Sequence, residues 1–499
     1  MGVIQKQSSL GAILIYIGIL IGYFNVAFLQ PKFLLAEEIG LVAILIAWSE
    51  IFGTIFSLGW PNVLVRLFPK IIAENKKSNL ILFTILIIVI GSVLATLAIF
   101  IFAKFLFIDA KDNSQIEKFY LLLIPLIIFN VSFRLGDTYL RMEYKSLFGI
   151  LTKELFQRIL ISFGILLIGF KIIDYDRFVL AYTFAMCFSG LLVLLYLVSK
   201  IKFSSFIETN FSFVKKHKSE IINIAFYGIL GSAGAIIASM IDRVMVSNMI
   251  GDRYTGIYYT LFYYGIFVSI PARPLKRIST AVLAEAWKNN DILKIKKIYT
   301  KSVLNLTIIG IYLFLGVWIN NENIIEIIGK DYQEGVFIIL FIGIGSLFDM
   351  MTGLNTEIIA TSKFYKYNSY FIGGLALLVI LTNWWLIPIY KTVGAAIGTC
   401  ISIITINSFR LILINIKINH IPFDFNLLKV FFIGIVVFLN SALIPNIENP
   451  FYSILVNVIF VTLVFWMLIF VFKISDDINN FVKKQIKKIR RFENFRPRK

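Results

Sequence analysis

Long apolar segments and short charged segments alternate along the whole chain. The apolar segments run for about 20 residues, which is the length a helix needs to cross the hydrocarbon core of a bilayer. They lack the two-residue alternation that is typical of an outer-membrane β-barrel. The pattern therefore predicts an all-α polytopic membrane protein with about 14 transmembrane helices. The predicted spans are 9–30, 39–65, 80–108, 119–140, 147–170, 178–199, 221–249, 254–272, 302–319, 335–361, 367–388, 393–416, 427–445 and 450–472.

Composition and charge support this class. Of the 499 residues, 59% are hydrophobic and only 15% are charged, whereas a soluble globular domain carries about 25% charged residues. The net charge of +19 would suit a nucleic-acid ligand. The basic residues lie in alternate loops, however, as the positive-inside rule requires. We therefore predict no nucleic-acid partner.

Loop charge also predicts the orientation of the spans. With a cytoplasmic N-terminus, the inner loops are basic and the outer loops are short and acidic. The even number of predicted spans then places both termini in the cytoplasm. The acidic residues of the outer loops are Glu37, Glu38, Asp109, Asp112, Asp174, Asp176, Asp252, Glu322, Glu326, Asp331 and Glu334.

One short motif occurs twice, six predicted spans apart. It begins at Arg66 and again at Arg277, and both copies read R-x6-A-E-x2-K. An even offset gives both copies the same direction across the membrane. The motif therefore predicts two six-helix bundles related by a pseudo-two-fold axis along the membrane normal, followed by two additional helices.

This repeat predicts five regions. They are an N-terminal six-helix bundle, 1–200; a cytoplasmic linker, 201–220; a C-terminal six-helix bundle, 221–417; two additional transmembrane helices, 418–473; and a basic cytoplasmic tail, 474–499. We expect the tail to bind anionic membrane lipids, with about 1 kcal/mol per basic residue near the surface.

The seventh span carries an adjacent acid and base, Asp242 and Arg243. A charge inside a span costs about 2.5–3.5 kcal/mol on insertion scales, so two adjacent charges call for a water-filled cavity or a partner on a neighbouring helix. The small residues before them allow neighbouring helices to approach closely. This span is thus predicted to face a polar interior, which makes the chain a candidate transporter. The small residues are Gly228, Gly231, Ser232, Gly234 and Ser239.

The chain resembles the bacterial polysaccharide-biosynthesis flippases that move lipid-linked oligosaccharides. Their superfamily also contains the multidrug and toxic-compound extrusion transporters and the lipid II flippases. The resemblance rests on the stretches Asp242-Arg243-Val-Met, Gly256-Ile-Tyr258, 271–285 and 387–398, and the fourteen-span layout extends it over the whole chain. It implies a V-shaped pair of bundles that opens alternately to either side of the bacterial cytoplasmic membrane.

The resemblance also implies a substrate of sugars on an undecaprenyl diphosphate carrier, for a cell-surface polysaccharide of the O-antigen type. It suggests other polysaccharide-assembly proteins as partners. Such a flippase is not an enzyme, because it makes and breaks no covalent bond.

A diphosphate needs cationic contacts, and arginine forks match phosphate oxygens. The candidates for the substrate cavity are therefore Arg134 and Arg158, together with Arg243. Asp137 and Asp242 accompany them. The alternative is that these charges pair with one another and hold the bundle together, since Asp137 shares a helical face with Arg134 and Glu154 can pair with Arg158 at i,i+4.

Two aromatic and two acidic residues complete the predicted site. Tyr263 and Tyr264 lie within the eighth span and are candidate sugar contacts. Asp349 and Glu357 are embedded acids that are candidates for coupling to a proton or a sodium ion. Asp349 is equally well explained as a neutral, hydrogen-bonded carboxyl group.

Two other function classes compete with a flippase. A multidrug or cation antiporter shares the expected fold and uses embedded acids. A membrane glycosyltransferase or O-antigen polymerase needs catalytic residues in substantial outer loops, whereas the predicted outer loops do not exceed roughly 15 residues. We predict no cofactor and no metal site, because the histidines and cysteines show no metal-ligand spacing.

Overall fold

The computed structural model describes residues 2–73, 77–103, 114–200, 217–445, 447–477 and 479. Within these ranges all the regular structure is helical, which confirms the all-α class. The first ten α-helices are α1 Gly2–Phe24, α2 Gln30–Phe33, α3 Ala36–Phe56, α4 Trp60–Ala73, α5 Lys77–Ala103, α6 Ser114–Phe119, α7 Leu123–Met142, α8 Ser146–Ile150, α9 Gln157–Gly169 and α10 Tyr175–Ser199. The next ten are α11 Lys218–Ile250, α12 Asp252–Ile266, α13 Ala272–Lys288, α14 Ile292–Trp318, α15 Asn321–Ile328, α16 Val336–Met351, α17 Asn355–Thr361, α18 Lys366–Ile418, α19 Phe425–Ser441 and α20 Pro450–Val471.

The chain is a multi-pass membrane protein. Among the described residues, ten helical segments are long and apolar enough to cross a bilayer, and α19 is a shorter apolar helix. The predicted fifth span lies on α8 and α9, which a π-helical segment joins, and the eighth lies on α12 and a 3-10 turn. The predicted pair 367–388 and 393–416 both lie on α18. The total of 14 stays a prediction.

The predicted span 39–65 is wrong at its C-terminal end. Helix α3 ends at Phe56, and a turn at Ser57–Gly59 leads into α4. Leu58 and Gly59 both adopt positive φ angles, which end the helix. Apolar residues continue through the turn, so hydropathy alone does not reveal it.

Both copies of the repeated motif lie on amphipathic helices. Arg66 and Ala73 are on α4, while Arg277 and Ala284 are on α13. A proline lies at the start of each helix, at Pro61 and Pro271, where a missing N–H group has no cost. The motif therefore marks the same local structure twice, a break followed by an amphipathic helix. Glu74 of the first copy lies outside the described residues.

Helix α18 contains a sharp break at Lys391, where φ is 51° and ψ is −132°. A Cβ atom at Gly394 would overlap the carbonyl oxygen of Leu386. The chain therefore folds back on itself at this point. The predicted break between 388 and 393 is confirmed.

The chain forms two compact units. The first consists of residues 1–263 and 372–395, and the second of residues 264–371 and 396–499. In the first unit, α7 packs against α3, α5 and α10 around one hydrophobic core. In the second, α14, α19 and α20 share a core. The division into 1–200, 221–417 and 418–473 stays a prediction. The predicted linker 201–220 lies outside the described residues up to residue 216, and so does the tail 474–499 apart from residues 474–477 and 479.

Two glycines form a close crossing between α3 and α12 in the first unit. A Cβ atom at Gly40 would overlap the carbonyl oxygen of Asp252, and one at Gly256 would overlap that of Ala36. Each hypothetical Cβ would also lie about 3 Å from the backbone nitrogen of the other glycine. The helices thus touch through their backbones, as small residues allow in membrane proteins.

Two π-helical segments lie on neighbouring helices of the first unit. One, Asn25–Leu29, follows α1, and the other, Leu151–Phe156, joins α8 to α9. Asn25 of the first segment is bonded to α9, which follows the second, because its Nδ2 donates to the carbonyl oxygen of Arg158 at 3.1 Å and its Oδ1 accepts from Ser162 Oγ at 2.8 Å. Segments of this kind are rare and are frequently found at functional sites.

Candidate functional site

Arg134 on α7 is paired across the first unit with Glu50 on α3. Its Nη2 contacts Glu50 Oε2 in a short ion pair, and its Nε donates to Asn130 Oδ1 at 2.7 Å. The side chain of Glu50 is 15% exposed and that of Arg134 is 23% exposed. Arg134 is therefore largely buried and bonded to neighbouring helical positions.

Lys153, in the π-helical segment, is a second cation near Glu50. Its Nζ lies 3.8 Å from Glu50 Oε1 and 4.9 Å from the centroid of the Phe133 ring. Its side chain is 39% exposed. Glu50 thus faces two positive charges, one in direct contact and one further away.

Two of these charged residues, Glu50 and Lys153, line a small polar cavity. Its volume is about 20 Å³, enough for roughly one water molecule. Gln157 and Ser189 are bonded to each other at its wall, with 3.0 Å between Ser189 Oγ and Gln157 Oε1. The lining residues are Ser49, Glu50, Leu126, Phe129, Asn130, Phe133, Lys153, Gln157, Met186 and Ser189.

Asp137 and Arg158 are also in ion pairs. Asp137 Oδ2 lies 3.1 Å from Arg141 Nε, and Gly149 on α8 leaves room for the Asp137 carboxylate. Arg158 Nη2 donates to Glu154 Oε2 at 2.7 Å. The Arg158 guanidinium packs on Gly22 of α1, where a Cβ atom would overlap it. The predicted i,i+4 pairing of Glu154 with Arg158 is confirmed.

Asp242 and Arg243 are enclosed in the first unit. Asp242 Oδ2 accepts a hydrogen bond from Tyr258 at 2.6 Å. The Arg243 guanidinium lies over two rings, 4.8 Å from the centroid of Tyr259 and 5.6 Å from that of Phe262. Both charged residues are at most 5% exposed, so Arg243 is stabilised by aromatic rings in this conformation.

The two candidate tyrosines differ in exposure. Tyr263 is half-buried and packs edge-to-face on Tyr259, with 5.1 Å between ring centroids. Tyr264 is 2% exposed. Tyr263 is therefore the better placed of the two for a sugar contact.

Asp349 on α16 belongs to a polar network in the second unit. Its Oδ2 accepts from Lys276 Nζ at 2.7 Å and its Oδ1 accepts from Asn407 Nδ2 at 3.3 Å. Asn407 Oδ1 in turn accepts from Asn355 at 2.9 Å and from Arg410 at 3.2 Å. Asp349 is thus hydrogen-bonded within a network that also contains two cations, Lys276 and Arg410.

Glu357 on α17 is the second acid of this network. It interacts electrostatically with Lys276 and Arg410. Within the described part of the chain, its Oε2 is buried without a hydrogen-bond partner. Glu357 therefore has an oxygen available for a proton or a cation.

Two functional candidates escaped the sequence reasoning, Lys276 and Arg410, which complete the cluster of the second unit. Glu50 and Lys153 complete the cluster of the first unit, and the sequence already shows both as charged residues within predicted spans. Glu50 and Arg410 are charged residues within apolar runs. A charge within a membrane span usually has a function, so the sequence itself marks these two positions. Lys276 follows Pro274 and looks like a loop residue in the sequence, so only the fold reveals its role.

Asp252 is the first residue of α12 and lies before the predicted eighth span, which begins at residue 254. Burial raises the pKa of its carboxyl group to about 6, an effect that the hydrogen bond from Ser247 opposes and the charge of Glu37 increases. Within the described residues, Asp252 Oδ2 has no hydrogen-bond partner. The folded protein thus holds a proton here that the unfolded chain releases near pH 4.

Asp252→Asn is expected to stabilise the protein at pH 8 but not at pH 4. Between about pH 4 and pH 6 the folded state binds more protons than the unfolded state, so wild-type stability falls as pH rises through this window, by up to about 3 kcal/mol. Thermal unfolding of both proteins in detergent across this range measures the effect. A stability difference that is the same at every pH would contradict it.

The model of a family described as polysaccharide biosynthesis protein matches residues 7–273. The capsular polysaccharide biosynthesis protein CapF of Staphylococcus aureus is 28% identical over 186 residues, which are 36% of this chain and 45% of the relative. The match therefore spans less than half of that relative.

Solved structures share the fold. The lipid II flippase MurJ in an inward closed conformation superposes with a TM-score of 0.72 at 18% identity, over 93% of this chain and 98% of that one. An inward-facing multidrug resistance MATE family transporter of the MOP superfamily has a TM-score of 0.63 at 13% identity, over 82% and 98% of the two chains. The chain thus has the fold of MOP-superfamily transporters. Because the family model matches more than half of its length, the chain belongs to the polysaccharide biosynthesis protein family, as the resemblance predicted.

Proposed function

We propose that the protein is a flippase that moves undecaprenyl-diphosphate-linked oligosaccharide across the bacterial cytoplasmic membrane by alternating access, for cell-surface polysaccharide synthesis. The observation that carries this proposal is the presence of charged clusters inside the helices of both units, on a fold shared with a lipid II flippase. Charges within spans are costly and usually serve a substrate or ion pathway. Both termini are proposed to be cytoplasmic.

In this proposal Arg134, Arg158 and Arg243 are the arginine candidates for the diphosphate, with Asp137 and Asp242 as their acidic neighbours. Each arginine now has an observed neighbour, either a carboxylate or an aromatic ring. Their binding of substrate requires an exchange of these contacts during the transport cycle. Tyr263 and Tyr264 are the proposed sugar contacts.

Ion coupling is assigned to Asp349 and Glu357 in the same proposal. Asp349 is already neutralised by Lys276. Glu357 has a buried oxygen without a hydrogen-bond partner among the described residues, which favours it as the group that takes up a proton or a sodium ion. Anionic membrane lipids and other polysaccharide-assembly proteins are the remaining proposed partners.

A multidrug antiporter is the second candidate, because a MATE transporter has the same fold and because acids are embedded in both units. Deletion of the gene in its source bacterium separates the two. We expect completed lipid-linked oligosaccharide to accumulate in the inner leaflet and surface polysaccharide to be lost, and the wild-type gene to restore both. Unchanged surface polysaccharide with increased sensitivity to cationic drugs would favour the antiporter instead.

A further inference from the structure

The cluster around Glu50 has an excess of positive charge. One carboxylate, Glu50, faces two cations, Arg134 and Lys153. The neighbouring acids are already paired, Asp137 with Arg141 at 3.1 Å and Glu154 with Arg158 at 2.7 Å. Among the described ion pairs of α7 to α9, one positive charge is therefore left over.

Geometry assigns this excess charge to Lys153. Arg134 contacts Glu50 through Nη2 and donates to Asn130 through Nε, so two of the three nitrogens of its guanidinium are engaged. Lys153 Nζ is 3.8 Å from Glu50, which is beyond hydrogen-bond distance. Within the described part of the chain, no hydrogen bond from Lys153 is found. Its three N–H donors are thus available to an incoming acceptor.

The cavity beside Lys153 limits what this acceptor can be. A volume of about 20 Å³ admits roughly one water molecule or one oxygen atom, and is too small for a whole phosphate group. Lys153 is 39% exposed, so an anion can approach from the open side while one oxygen points toward the cavity. Asn130, Gln157 and Ser189 provide polar groups in the wall.

We propose that Lys153 is the phosphate-contacting cation of the cluster around Glu50, and that Glu50 weakens this contact by holding part of the positive charge. Of the three arginine candidates for the diphosphate, Arg158 and Arg243 keep that role, whereas Arg134 serves as a positioning residue that anchors Glu50. The inference rests on the proposed function and extends it by naming the residue that receives the phosphate group of the lipid carrier. A lysine suits this role because its ammonium is a compact point charge that binds phosphate without a fixed geometry.

The test uses the purified full chain in nanodiscs of neutral lipid, with undecaprenyl diphosphate and inorganic pyrophosphate as probes. Lys153→Met is expected to raise the dissociation constant tenfold or more, roughly the effect of one lost hydrogen bond to a charged group. Lys153→Arg is expected to retain binding within about threefold, because the positive charge remains. If both probes bind, the diphosphate group is sufficient for recognition. If only undecaprenyl diphosphate binds, the lipid carrier is also required.

Lys118→Met is the matched control. Lys118 also pairs with a carboxylate in the first unit, Asp176 at 2.6 Å, but is 57% exposed and lies outside the cluster. Its removal is expected to leave the dissociation constant unchanged. Glu50→Gln tests the proposal that Glu50 weakens the contact between Lys153 and the phosphate. This variant is expected to bind the probes more tightly than wild type, which a loss of folding cannot produce.

The outcomes separate the two levels of proposal. Wild-type protein that binds neither probe would overturn the proposed function and this inference with it. Wild-type protein that binds, together with a Lys153→Met variant that binds equally well, would overturn the inference and leave the function standing. Weaker binding by Glu50→Gln than by wild type would remove the role assigned to Glu50.

Discussion

Gly256→Ala is expected to lower the free energy of unfolding by about 3 kcal/mol or more, at or above the upper end of the range for overpacked sites. The added Cβ atom would overlap the carbonyl oxygen of Ala36 and approach the backbone nitrogen of Gly40. Backbone atoms on the partner helix cannot rotate away as a side chain can. Helices α3 and α12 must therefore separate, which exposes the packing around them. Chemical or thermal unfolding in detergent measures the loss.

Gly231→Ala is the matched control for this variant. Gly231 lies on α11 in the same unit, and a Cβ atom there would meet nothing within 4 Å. Alanine is favoured over glycine in a helix by up to about 1 kcal/mol, so this change is expected to be neutral or stabilising. Equal stability of the two variants would show that the glycine crossing has no structural role.

Asp349→Ala is expected to have the second large effect, about 3 kcal/mol of destabilisation. Removal of one partner of a buried ion pair leaves the other charge uncompensated, which costs about 3–5 kcal/mol. We expect a loss at the lower end of this range because the side chains of Lys276 and Asp349 are still 21% and 25% exposed. Lys276, left without its partner at 2.7 Å, would share the one remaining acid, Glu357, with Arg410, a second positive charge.

A double-mutant cycle gives the sharper measurement. The double variant Lys276→Met with Asp349→Ala is expected to be more stable than Asp349→Ala alone, since Lys276 is then no longer a cation without its partner. Asp477→Ala is the control. Asp477 pairs with Lys301 at 2.6 Å, but both side chains are nearly half exposed, and exposed pairs contribute at most about 1 kcal/mol. Strict additivity in the Lys276–Asp349 cycle would rule out the coupling.

The class of fold was predictable because apolar length is a local property of the sequence. The turn after Phe56 was missed, since Leu58 and Gly59 reverse the chain within a continuous apolar run. Ion-pair partners were largely missed for a different reason. Glu50 and Arg134 are 84 positions apart, and Lys276 and Asp349 are 73 apart, so their pairing depends on helix packing. The pairs Glu154–Arg158 and Asp137–Arg141, by contrast, have i,i+4 spacing within one helix, so local sequence can reveal them.

The two π-helical segments also affect how this chain should be aligned with its relatives. A π turn holds one residue more than the α turn that it replaces, so the helix beyond it is offset by about 100° from the face that regular spacing assigns. A relative with an uninterrupted α-helix at Asn25–Leu29 or Leu151–Phe156 would lack one residue there. A one-residue gap in the middle of a transmembrane helix is therefore a legitimate alignment at these two places. Elsewhere in the same helices it would rotate the packing face away from its partners.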